Sequence, residues 1–233
     1  MPKAPPPPPP LDPAAPPAAL QAQILATEHW SLLASRTTTQ NEVLTRISMF
    51  LTFVSATLVS LALVGQATSF GPTFPMLAVV LLSVALVVGV LTQLRVLNTA
   101  TEDLMYVIAM NRLRAAYAEL APGVERWFMS SIHDDQPGSE RTYFFLKPGR
   151  GSSVVLGSSM MFIIVVNAAL TGLLAATIVF LAGGAFAIAL GIGGAIAITF
   201  AIAGFRIGYR AYRRIWEHHE PMVPTPATPD PMR

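Results

Sequence analysis

Residues 47–94 read ISMFLTFVSATLVSLALVGQATSFGPTFPMLAVVLLSVALVVGVLTQL. This stretch contains no Asp, Glu, Lys, Arg or His. An α-helix needs roughly 20 apolar residues to cross about 30 Å of hydrocarbon. The stretch therefore holds two crossings, over 47–66 and 76–94. Between them Gly71, Pro72 and Pro75 break the helix and mark a turn. A second block without charge runs over 151–205 and divides in the same way. Its spans are expected at 154–180 and 186–205, with Ala182-Gly183-Gly184 as the turn.

The charge distribution agrees with two uncharged hairpins. Only 12% of the 233 residues are charged, against about 25% in a soluble domain. All 15 Lys and Arg and all 13 Asp and Glu lie outside the two blocks. Both hairpin turns lack Lys and Arg. The basic residues fall before the first hairpin (Lys3, Arg36, Arg46), between the hairpins (Arg95, Arg112, Arg114, Arg126, Arg141, Lys147, Arg150) and after the second (Arg206, Arg210, Arg213, Arg214, Arg233). Lys and Arg in short flanking segments stay on the cytoplasmic side. The expected architecture is thus an all-α integral membrane protein of four transmembrane helices in two hairpins. Both termini and the 95–150 region lie in the cytoplasm.

The flanking regions read as helical extensions and tails. Residues 1–19 are dominated by proline, including Pro5 to Pro10, and residues 221–233 carry a proline every two or three positions. Proline lacks an amide donor, so both tails are expected to be solvated, disordered spacers. Residues 20–35 form a helix with a broad apolar side. Thr39 and Glu42 fit a capping box, which starts a second helix there. Beyond Leu94 the helical spacing continues through Leu120 and stops at Pro122-Gly123. A short helical piece follows at 125–129, then a polar segment with an extended piece at 142–146. Residues 206–220 form a basic juxtamembrane helix.

Two stripes of small residues are candidates for helix packing. Ser48, Thr52, Ala56 and Ser60 recur every fourth position in the first span. Ala187, Gly191, Ala195, Thr199 and Ala203 do so in the fourth. Small residues let helix backbones approach closely, either within the bundle or between copies. Asn167 is the most polar side chain deep in a span and reads as an interhelical hydrogen-bond partner. Trp30 is placed at headgroup level or against another cytoplasmic helix. Arg206, Tyr209, Arg210, Tyr212, Arg213, Arg214 and Trp216 form a basic, aromatic set of interfacial anchors. Gly204 and Gly208 read as a packing pair at the membrane surface.

The absences matter as much. No ionisable group lies in any expected span, which lowers the transporter and intramembrane protease readings. There is no cysteine, so thiol catalysis and zinc–thiolate sites are excluded. His133-Asp134-Asp135 and His218-His219-Glu220 lack metal-ligand spacing, because adjacent side chains point apart. No phosphate loop, nucleophile elbow or zinc-protease motif occurs. No cofactor is implied, and a net charge of +2 implies no nucleic-acid partner.

Segments 28–36, 110–117 and 131–135 resemble those of uncharacterised bacterial four-span membrane proteins. That resemblance implies a bacterial plasma-membrane protein and brings no activity with it. The order of amphipathic helix, two-span hairpin and long cytoplasmic helix over 20–120 is similar to the SLATT layout, whose members are suspected membrane-perturbing effectors. The expected function is a non-enzymatic membrane scaffold or sensor that associates with itself or a membrane partner. An oligomeric pore or effector is the alternative, and a small transporter the third.

Overall fold

Helices begin and end in this chain where proline, glycine and capping hydroxyls dictate. The computed structural model describes residues 17–146 and 151–227. Pro17 precedes α1, which runs unbroken over Ala18–Ala67. Thr73 and Pro75 open α2, Phe74–Leu120. A 3-10 turn, Val124–Trp127, follows Gly123. Asp135 caps α3, Gln136–Tyr143, by accepting from the Gly138 amide at 2.9 Å. The short α4, Gly151–Leu156, precedes α5, Ser159–Leu181, and α6, Phe186–His218, closes the chain of helices. The described residues contain no strand.

Four helices, α1, α2, α5 and α6, are long and apolar enough to cross a membrane. They pack as a row, with α1 on α2, α2 on α5 and α5 on α6. The α1–α2 seam is a heptad-like one. Val43, Ile47, Phe50, Val54, Thr57 and Leu61 are buried on α1, and Ala78, Leu82, Ala85, Gly89, Thr92, Val96 and Thr99 on α2. Steps alternating between three and four residues keep two long helices in contact over many turns. The α5–α6 contact depends on closer approach. A Cβ on Gly172 would lie 2.8 Å from the Gly193 carbonyl oxygen, and one on Gly193 would lie 2.5 Å from that of Gly172.

Cross-helix contacts set the levels. Gly204 of α6 lies beside Gln93 of α2 and Ile164 of α5, and Gly208 lies beside Met160. Arg46, Arg95 and Arg206 therefore sit near one level, at the same end of the four apolar segments. The turns at 68–73 and 182–185 sit at the other end. α1 and α2 continue past this level as an antiparallel pair, each by about 40 Å at 1.5 Å per residue.

Several local expectations are corrected. No second helix starts at Thr39. The Thr37 and Thr38 hydroxyls donate to the Leu33 and Ala34 carbonyls at 2.9 and 3.0 Å, inside a continuous helix. Glu42 accepts from Arg46 and Arg95, both at 2.9 Å, instead of reaching back to Thr39. Residues 142–146 form no extended piece, because α3 continues to Tyr143. The third apolar helix does not start at 154. Ser158 accepts from the Met161 amide at 3.2 Å and begins α5 there, leaving α4 separate. Its 23 residues span about 35 Å. The N-terminal tail expectation falls outside the described residues over 1–16, as do Lys3, Lys147, Arg150 and Arg233, while Ala18 and Ala19 are already helical.

Candidate functional site

The richest polar chemistry lies at the charged end, where the turn after the 3-10 helix meets the segment that leaves α6. Asp134 is its centre. The carboxylate has no solvent exposure and accepts from Arg112 Nε at 2.5 Å. It also accepts from the Met222 and Val223 amides at 3.0 and 2.8 Å. In return the Asp134 amide donates to the Val223 carbonyl at 3.3 Å. His219 Nε2 lies 2.7 Å from the Asp134 carbonyl oxygen. Arg112 reaches on to the Glu220 carbonyl at 3.3 Å. Asp135 extends the clasp by accepting from the Thr225 amide and hydroxyl at 2.6 and 2.8 Å. Residues 221–227, expected as a solvated spacer, are thus held at Met222, Val223 and Thr225 to two aspartates far away in sequence. The remainder of that tail, 228–233, lies outside the described residues.

Beneath the clasp, buried Asn111 organises the turn. Its Nδ2 donates to the His133 carbonyl at 2.7 Å, and its Oδ1 accepts from Arg114 and Thr142 at 2.7 and 2.9 Å. A third knot joins α1, α2 and α3. Asp103 accepts from Arg36 Nε, Gln40 Nε2 and the Tyr143 hydroxyl, each at 2.6 Å.

These contacts set the electrostatics. Burial pushes the Asp134 carboxyl up, but Arg112 and the Val223 and Met222 amides outweigh it and hold the group below the usual carboxylate range. Asp135 is likewise lowered, because the Thr225 and Gly138 donors overcome its burial. Tyr143 is raised by burial and then by its hydrogen bond to Asp103. Each carboxylate is engaged by positive or N–H donors, an arrangement that holds elements together. His133-Asp134-Asp135 and His218-His219-Glu220 do meet here, through His219 and Asp134. Among the described residues, however, no three His, Asp or Glu side chains converge as metal ligands.

The small-residue stripes lie elsewhere than within the bundle. Ser48, Thr52, Ala56 and Ser60 are all exposed, outside the buried seam of α1. The Ser48 and Thr52 hydroxyls donate back to the Leu44 and Ser48 carbonyls at 3.0 and 2.9 Å. Ala187, Gly191, Ala195, Thr199 and Ala203 are exposed on α6, and only 11% of that helix's most apolar stretch is buried. Packing inside the bundle is carried instead by Gly89, Gly172, Gly193 and Gly204. Gly204 and Gly208 thus pack against the protein's own helices. Asn167 is fully buried and donates to Gln93 Oε1 at 2.8 Å, joining α5 to α2.

The aromatic and basic candidates divide. Arg206, Tyr209, Arg210, Tyr212, Arg213 and Arg214 are exposed on α6, with Arg213 paired to Glu217 at 2.9 Å. Trp216 turns inward, edge-on to Tyr212 and His219 at ring distances of 6.2 and 5.8 Å. Trp30 is 71% exposed. It stands sixteen residues from Arg46 along unbroken α1, about 24 Å.

No protein-family model matches the chain, and neither a curated protein nor a solved structure is significantly similar to it.

Proposed function

We propose that this is a non-enzymatic, multi-pass protein of the bacterial plasma membrane, with both termini cytoplasmic, acting as a scaffold or sensor through helix–helix association. The observation that carries this reading is the outward face of α6. Gly191 and Gly194 have no neighbour within 4 Å of an added Cβ. Glycine inside a helix costs about 1 kcal/mol relative to alanine, and no intramolecular contact accounts for it here. Ala187, Ala195, Thr199 and Ala203 continue the same shallow surface, which suits a second copy or a membrane partner. Orientation follows from the arginines clustered at one end.

The cysteine-free chain allows a direct test. Single cysteines replacing Gly191 or Ala195 are expected to crosslink in cells to a second copy or to another membrane protein. Gly191→Leu should abolish the crosslink from Ala195→Cys without lowering the melting temperature. A protein that stays monomeric in mild detergent and yields no crosslink contradicts the reading. The alternative, an oligomeric pore or membrane-perturbing effector, draws on the SLATT-like layout and the hydroxyl-bearing face of α1. Loss of membrane potential on overexpression would favour it.

A further inference from the structure

The chain returns from the charged end to α5 through a segment whose large apolar side chains are left uncovered. Phe144, Phe145 and Leu146 are 37%, 49% and 80% exposed, and Val154, Val155 and Leu156 of α4 are 43%, 41% and 68% exposed. Their position along the molecule is bracketed on both sides. Tyr143 donates to Asp103 at 2.6 Å, and Asp103 stands eight residues beyond Arg95 on α2, about 12 Å along the axis. At the other end, Leu156 is two residues before Ser158, the cap that opens α5. The described residues nearest these two anchors, 144–146 and 154–156, therefore lie on either side of the level that a headgroup layer about 5–8 Å thick would occupy above the hydrocarbon.

We propose that residues 144–146 and α4 make a second, non-spanning contact with the membrane, seated in the lipid headgroup layer. Continuity with α5 decides the occupant. The face is tethered within two residues of an apolar helix, so a bilayer surrounding α5 meets it before any soluble partner can. Phenylalanine and leucine favour that boundary, where an apolar body gains from leaving water. The Ser158 cap separates α4 from α5 and frees it to lie along the surface.

This inference rests on the four helices spanning a bilayer, and the test separates the two. The full-length protein is placed in lipid nanodiscs with one nitroxide at a time, on Phe145→Cys, Leu156→Cys, Val80→Cys or Thr38→Cys. Val80 is 58% exposed on the apolar part of α2, and Thr38 is exposed on the charged half of α1. Collision rates with oxygen and with a water-soluble nickel chelate are compared. Labels at 145 and 156 are expected to favour oxygen several-fold more than the label at 38, approaching the label at 80. Labels at 145 or 156 that behave like 38, or that are shielded from both agents by protein, overturn the surface contact while 80 still reports lipid. A label at 80 that meets the chelate removes the spanning reading and the surface contact with it.

Discussion

Gly89→Ala is expected to destabilise the bundle by about 2–3 kcal/mol, the upper range for forcing extra volume into a packed core. Its cause is local and steric. A Cβ at this position would lie 2.0 Å from Asn167 Oδ1 and 2.8 Å from Phe50 Cζ. Phe50 belongs to α1 and Asn167 to α5, so α2 cannot retreat from one helix without approaching the other. Asn167 is also held in place, because its amide donates to Gln93 Oε1, one turn further along α2. Rotating it away breaks that bond and leaves an amide unpaired among apolar groups, itself a cost of about 1–3 kcal/mol. The Oδ1 atom has no hydrogen-bond donor and rests against the bare Gly89 backbone. For a protein of this size the change corresponds to a melting temperature lower by roughly 5–10 °C. Gly194→Ala is the control, since an added Cβ there meets nothing, and it should melt at or slightly above the parent. Thermal unfolding of the three proteins in one detergent checks the pair of outcomes. Equal melting of Gly89→Ala and the parent would refute the packing described here.

The second large effect is expected at the clasp. Asp134→Ala removes the carboxylate that joins Arg112 to the Met222 and Val223 amides. Breaking a buried pair costs about 3–5 kcal/mol. Arg112 is 38% exposed here, so solvent screening reduces the figure to about 2 kcal/mol. The loss should appear where the bonds were, as faster hydrogen exchange of the Met222 and Val223 amides, by about tenfold or more for each 1.4 kcal/mol lost. Amides in the middle of α2 should be unchanged. The pH dependence follows from the lowered carboxylates. Asp134 and Asp135 titrate below the ordinary value of about 3.9 when folded. Their contribution is therefore fully present above that value and is lost as pH falls through the folded values. Protection of the Met222, Val223 and Thr225 amides due to these carboxylates should hold from pH 8 to 5 and collapse only below about pH 4. Retained protection in Asp134→Ala would show that the tail is held by something else.

The sequence made the apolar helices legible because lipid-spanning segments are long and free of charge, and two features of composition mark them. It was less informative about faces. Ser48, Thr52, Ala56 and Ser60 share a spacing of four, but 3.6 residues make a turn, so a row at every fourth position winds around the helix. The seam that stays in contact takes alternate steps of three and four, as Val43, Ile47, Phe50 and Val54 do. Reading for that alternation, with large residues on α1 opposite small ones on α2, would have found the Phe50–Gly89 contact. The break at Ser158 was readable as Gly157-Ser158 followed by an apolar helix, but apolarity on both sides hid it. The clasp was out of reach, because Asp134 and Val223 are joined only through the folded path of α2 and α6. Proline content alone made 221–227 look solvated, whereas the amides of Met222, Val223 and Thr225 remain available to donate to aspartates.

If four helices cross a bilayer with the arginine-rich end in the cytoplasm, cysteine accessibility will report it. Single cysteines would replace Ser69 and Ala185 in the two charge-free turns, and Thr38 and Arg210 at the basic end. The expected result is that a membrane-impermeant maleimide labels positions 69 and 185 in intact spheroplasts and labels 38 and 210 only after lysis. Labelling of 38 or 210 in intact spheroplasts, or of 69 or 185 only after lysis, would contradict it.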